Sequence, residues 1–135
     1  MKVIVDTSVW SLALRRNLPD EGPEVSELIE LIREVRVQMI GPVRQELLSG
    51  VKNQAQFHKL RNHLRGFPDL ELTIHDYETA AEFFNLCRGK GIQGSNTDFL
   101  ICAIAVRHKI PILTTDADFK LFQPYLPIAL HTPRT

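Results

Sequence analysis

Met1-Lys2-Val3-Ile4-Val5-Asp6-Thr7-Ser8 opens the chain, and its reading decides the fold. The apolar run over 2–6 has the length and composition of a buried strand and stops on an acid. Open α/β sheets bind their ligands at the carboxyl ends of such strands, so Asp6 is the first candidate for chemistry. Thr7 or Ser8 can cap a helix that follows, with Val9, Leu12 and Ala13 at helical spacing through about Arg16.

Outward from this stretch, strand and helix signals alternate. Leu18 to Pro23 carries loop residues. Residues 24–36 form an amphipathic helix, with Val25, Leu28, Ile29, Ile32 and Val35 as its stripe and Glu24, Glu27, Glu30 and Glu34 as a solvated face. Val37 to Ile40 is a second strand. Gly41-Pro42 starts a helix that runs to about Leu48, with proline suited to its first position. Residues 54–65 are helical, with Phe57, Leu60 and Leu64 on one face. Leu70 to Ile74 alternates as a strand does. Tyr77, Ala80, Ala81, Phe84 and Cys87 mark the next helix, closed by glycines at 89 and 91. Ser95 to Asp98 supplies cap residues for a buried helix to His108. Pro111 to Thr114 is a strand, and a short helix and a last strand near Ile128 finish the chain. This alternation predicts an α/β fold with a mainly parallel sheet, as one domain over 1–135.

Composition narrows the function. The 135 residues hold 16 Lys+Arg against 16 Asp+Glu, a net charge of zero that argues against a generic polyanion binder but leaves room for a local basic face. Cys87 and Cys102 form no CxxC pair and fall in apolar helical patterns, which reads as reduced core thiols. No segment reaches the roughly 18 apolar residues of a membrane span, and no secretory leader is visible; a cytoplasmic protein is expected. The phosphate-loop, dinucleotide-binding and nucleophile-elbow motifs are absent, and the five histidines show no HExxH spacing.

Acids remain. Asp6 and Asp116 end two strands that a parallel sheet would place on one edge. Asp98 lies in the first turn of the buried helix, where it can serve as a cap with Ser95 or as part of a site. Glu46 sits on a helix that gives Val43, Leu47 and Leu48 to the core, as an exposed glutamate or as a fourth member. Carboxylates gathered without partners repel one another, and a divalent cation relieves them. Oxygen donors alone suit Mg²⁺ or Mn²⁺, and such a site fits phosphodiester hydrolysis. Between Leu47 and Pro68 there is no acid, while Lys52, Lys59, Arg61 and Arg65 are present, either as a solvated helix face or as phosphate contacts.

With these residues placed, the chain resembles PIN-domain proteins of the VapC toxin type over essentially its whole length. The resemblance is carried by Val3-Ile4-Val5-Asp6-Thr7-Ser8, Glu46 after the second strand, the stretch Asp98 to Ala105, and Thr114-Thr115-Asp116-Ala117-Asp118-Phe119. It implies a three-layer α/β/α sandwich with a mainly parallel central sheet, and a Mg²⁺- or Mn²⁺-dependent endoribonuclease, the toxin of a type II toxin–antitoxin pair. A small VapB-like antitoxin would block the site, and toxin dimers are common in the family. Residue by residue, Asp6, Glu46, Asp98 and Asp116 match the acidic quartet, with Asp6, Asp98 and Asp116 as metal ligands. Thr7 or Ser8, and Thr115, match hydroxyl positions. Asp118 matches the second acid of the last motif, either as a ligand through water or as a helix cap. RNA would approach over Lys52, Lys59, Arg61 and Arg65.

Three other readings stand beside this one. A haloacid-dehalogenase-type nucleophile at Asp6 is disfavoured because the position two residues on is Ser8 rather than an acid. A housekeeping RNA-processing nuclease keeps the chemistry, and a non-catalytic PIN-like module keeps only the fold.

Overall fold

The computed structural model describes residues 1–15 and 22–134. Val3–Val5 forms β1, and all three side chains are essentially fully buried. The reason is its place in the sheet. β1 lies between β2 (Val37–Ile40) and β4 (Ile112–Leu113), with β3 (Asp69–Leu70) beyond β2, and every pairing is parallel. A central parallel strand covered on both faces tolerates only apolar side chains. Register pairs Val3 with Val37, Ile4 with Ile112 and Val5 with Leu113. The C-terminal ends of β1 and β4 therefore meet on one edge.

Helices flank this sheet, giving the expected α/β/α architecture. They are α1 (Thr7–Leu14), α2 (Gly22–Arg33), α3 (Gly41–Leu48), α4 (Gln54–Leu64), α5 (Ile74–Gly89), α6 (Asn96–His108) and α7 (Asp118–Phe122). α6 is buried along most of its length, through Phe99 and Ile101 to Ala105, as its uniform hydrophobicity predicted. It packs most extensively on α5. Phe99 stacks near Phe84 and Phe122, and Phe119 joins the same cluster, tying α5, α6 and α7 together. Cys87 and Cys102 are buried and unpaired with each other, consistent with core thiols. Among the described residues no helix is long and apolar enough to cross a membrane.

Several expectations change. The strand expected over 70–74 is confined to Asp69–Leu70, and Ile74 opens α5 instead. Asp76 accepts the backbone N–H of Thr73 at 2.8 Å, so a helix-starting cap overrides the alternating pattern. No last strand forms near Ile128; a single parallel bridge joins Ile112 to Leu130. α1 ends at Leu14, before Arg16, and Arg16 and most of the 18–23 loop lie outside the described residues.

The stripe of α2 is also different. Val25, Leu28 and Leu31 are buried, but Ile29 and Ile32 are exposed, and Val35, past the helix end, is 78% exposed with φ of 56°. Glu27, expected on a solvated face, is only 2% exposed. Arg134 reaches it with Nε at 2.8 Å and His131 Nε2 lies 2.6 Å away. Burial alone would raise the Glu27 carboxyl, but these partners outweigh it and hold it at about 2. The C-terminal segment is thus clasped to α2.

Candidate active site

Asp6 follows β1 directly and is 4% exposed. Its N–H donates to the Leu113 carbonyl at 2.9 Å, which fixes it against the end of β4. Two hydroxyls converge on its Oδ2, from Ser8 at 2.7 Å and Thr114 at 2.8 Å. Burial raises the Asp6 carboxyl, the hydroxyls counter this, and the charge of Asp116 adds to the rise.

The pattern of hydroxyls differs in detail from the sequence reading. Thr115 contributes its backbone N–H to Ser8 Oγ at 3.1 Å, while the hydroxyl that reaches Asp6 belongs to Thr114. Sequence reasoning passed over Thr114. The sheet register would have found it, because one step beyond the Val5–Leu113 pair sets Asp6 beside Thr114. Thr7 turns the other way and donates to Glu46 Oε1 at 2.7 Å. The first turn of α1 therefore serves two acids, with Ser8 on Asp6 and Thr7 on Glu46.

Asp98 begins α6. Its Oδ2 accepts the Ser95 N–H at 3.0 Å, and its own N–H donates to Ser95 Oγ at 3.1 Å, a reciprocal capping box. The cap occupies one carboxylate oxygen. Burial, with the charges of Asp6 and Asp116 nearby, pushes the Asp98 carboxyl up to about 6. Capping and membership of the acid cluster are thus compatible in one side chain.

Asp116 Oδ1 accepts the N–H of Asp118 at 2.9 Å, so Asp116 is the residue that steadies the start of α7. Its own N–H donates to Thr114 Oγ1 at 2.9 Å, closing a chain of bonds from Asp116 through Thr114 to Asp6. Asp118 lies in the first turn of α7, half-buried. Asp6, Asp98 and Asp116 thus feel one another's charge, and Thr7 ties Glu46 to the first turn of α1, next to Asp6.

Two hollows flank the acids. One, of about 660 Å³, is lined by Thr7, Gln45, Glu46 and Tyr77 among others. The other, of about 550 Å³, is lined by Thr114, Thr115 and Asp116 together with Lys120, His131 and Arg134. The last three had no signal in the sequence that tied them to Asp116. Lys52, Lys59, Arg61 and Arg65 line neither hollow. Lys59 borders a separate groove with Leu14, Arg15 and His63, and Arg61 hydrogen-bonds its neighbour Asn62.

Among the described residues, no three His, Cys, Asp or Glu side chains stand in an arrangement that could hold a metal ion. The donor chemistry nonetheless fits a hard cation. The groups are carboxylates alone: burial raises Asp6 and Asp98, the charge of Asp116 adds to both and that of Asp6 adds to Asp98, and a divalent ion removes that cost. Mg²⁺ commonly binds through one or two carboxylates and keeps several waters, so a full cage of side chains is not required.

A parallel sheet with acids gathered at the ends of β1 and β4 and at the start of α6 defines the class, and comparison with known proteins gives the family. The PIN domain family matches residues 3–123, and the chain belongs to it. Within it, ribonuclease VapC11 of Mycobacterium tuberculosis is 31% identical over 120 residues, which cover 87% of this chain and 88% of that one. A VapC ribonuclease of Mycobacterium bovis matches to the same extent, 31% over 120 residues. Among solved structures, VapBC2 from Rickettsia felis bound to a DNA fragment from their promoter superposes with a TM-score of 0.74 at 20% identity, covering 97% of this chain and 98% of that one. FitAcB from Neisseria gonorrhoeae gives 0.73 at 20% identity, covering 97% of each chain. At that identity the solved structures speak to the fold.

Proposed function

We propose that this chain is a divalent-metal-dependent endoribonuclease and the toxin of a type II toxin–antitoxin pair. The observation that carries the proposal is the convergence of Asp6, Asp98 and Asp116, with Asp98 raised to about 6 by burial and by the other two charges. The similarity to VapC ribonucleases supplies the substrate class. Asp6, Asp98 and Asp116 would hold Mg²⁺, with Mn²⁺ as an alternative. When bound, such an ion activates water and stabilises charge on the reacting phosphate.

The chain's own residues do the rest. Ser8 and Thr114 fix the orientation of Asp6, and Ser95 fixes Asp98. Thr7 holds Glu46, which orients the attacking water. Hydrolysis by water leaves a 5′-phosphate and a 3′-hydroxyl and does not use the RNA 2′-OH. Asp118 supports the site through water. Lys52, Lys59, Arg61 and Arg65 contact RNA phosphates away from the acids, and these contacts weaken with salt. The partner is a small antitoxin of the kind present in the VapBC complexes, and the toxin works as a homodimer.

The test is to map RNA ends in cells after brief expression of the wild type and of Asp98→Asn. New 5′-phosphate ends with the wild type and none with the variant support the proposal. The same new ends from both would show that Asp98 takes no part in cutting, and none from either would favour a PIN-like module that binds without cutting.

A further inference from the structure

Tyr77 stands out in the first turn of α5. Its spacing in the sequence sets it among the residues that mark this helix, and it is 56% exposed. Among the described residues neither its ring nor its hydroxyl has a hydrogen-bonding or aromatic partner. Ile74, one turn earlier, is 76% exposed, so the two make an apolar ridge at the start of the helix. A single exposed aromatic residue is ordinary on a protein surface. What sets this one apart is what it faces.

Tyr77 lines the hollow that holds Glu46, about 660 Å³ in volume. It also borders a second hollow of about 380 Å³ beside Phe84 and Asn96. In the Glu46 hollow, Leu100 supplies apolar surface, and Thr7, Gln45, Ser49 and Thr97 supply hydroxyls and an amide. The lining contains one carboxylate and no cation. A neutral, planar group with hydrogen-bonding edges fits, because it can stack on the ring and pair its edge with the Gln45 amide and the Thr97 hydroxyl, while those of Thr7 and Ser49 already donate to Glu46 and the Gln45 carbonyl.

We propose that Tyr77 is the stacking platform for a nucleobase of single-stranded RNA seated in the Glu46 hollow. The inference rests on the ribonuclease reading above and adds a positioning residue to it. A base held on Tyr77 fixes the sugar–phosphate beside it, and Thr7, which lines the same hollow and bonds Glu46, links that seat to the acids. Gln45 is placed to read the edge of the base, and its side-chain amide has no partner among the described residues.

The test uses full-length Asp98→Asn protein in Mg²⁺, so that binding is measured without cutting. Two fluorescein-labelled probes are compared by anisotropy, an oligoadenylate of about eight nucleotides and an abasic ribose-phosphate oligomer of equal length and charge. Adding Tyr77→Ala should weaken the oligoadenylate about 5- to 150-fold and leave the abasic probe within about twofold. Tyr77→Leu, which keeps apolar bulk without the aromatic plane, should behave like Tyr77→Ala. Tyr77→Phe should restore the affinity.

Equal weakening of both probes, weakening of neither, or no difference between the probes in the parent protein would overturn the proposal. So would a fall in sedimenting mass in Tyr77→Ala, which would make the ring a contact between two copies. Cleavage by the wild-type chain is measured in parallel. Cutting without base-dependent affinity at Tyr77 sinks the platform alone. Base-dependent affinity without cutting sinks the ribonuclease reading and leaves the platform standing.

Discussion

Asp98 is where the local and the global demands on one side chain meet. One oxygen of its carboxylate caps α6, and burial beside Asp6 and Asp116 lifts the group to about 6 from an ordinary 3.8. A carboxyl raised in the folded state holds its proton more tightly there than in the unfolded chain. Its contribution to stability is therefore largest at low pH and is lost as pH rises from about 4 through about 6. Metal-free protein melted at pH 5 should gain up to about 1 kcal/mol over pH 7.5 from this group, after discounting for its partial exposure. Glu27 and Glu34, both near 2, titrate below that window. In Asp98→Asn the gain should shrink to what Asp6, also raised by burial, contributes, which thermal melts of both chains in chelator at the two pH values would check. An equal pH response in the two chains would show that Asp98 is not perturbed.

Elements place these residues, and two contacts hold the elements. Gly94 sits just before the cap of α6, where an added Cβ would meet Phe122 Cζ at 2.7 Å and Phe99 Cε2 at 2.9 Å. Gly94→Ala should cost about 1–3 kcal/mol in urea unfolding by forcing the aromatic cluster apart, and it should weaken cleavage by displacing Ser95 and Asp98. On α2, Arg134→Ala would leave the buried Glu27 without its guanidinium, with His131 and the backbone N–H of position 134 as its partners. About 1–3 kcal/mol should be lost, because an under-paired carboxylate stays in the interior. Glu34→Gln, which meets the same arginine and Arg36 at the surface, should change stability far less. Equal effects from the two substitutions would mean that burial of Glu27 is not what the clasp satisfies.

At the scale of the whole molecule, the parts that were legible in the sequence share one property: their signals are local. The apolar run ending at Asp6, the Ser95-to-Asp98 cap and the strand before Asp116 each declare their structure within a few residues. Thr114 was hidden because its role depends on the register between β1 and β4. Glu27 was hidden because an amphipathic pattern cannot show that the far end of the chain returns to cover an acid. The exposure of Tyr77 was hidden because a tyrosine at helical spacing looks the same whether it faces a core or a cleft. The strand expected over 70–74 failed for an opposite reason. The alternation was real, but Thr73 and Asp76 form a helix start, and that signal was also local.

The central claim is that the acids gathered on Asp6 cut RNA with a divalent ion. The most direct test incubates purified, partner-free wild-type and Asp6→Asn chains with the same structured RNAs, with Mg²⁺ and with chelator. The account predicts that the wild type cuts only with Mg²⁺. Asp6→Asn should cut nothing while melting at or slightly above the wild-type temperature, because one like charge leaves a crowded site. Cleavage by Asp6→Asn at the wild-type rate would contradict the account.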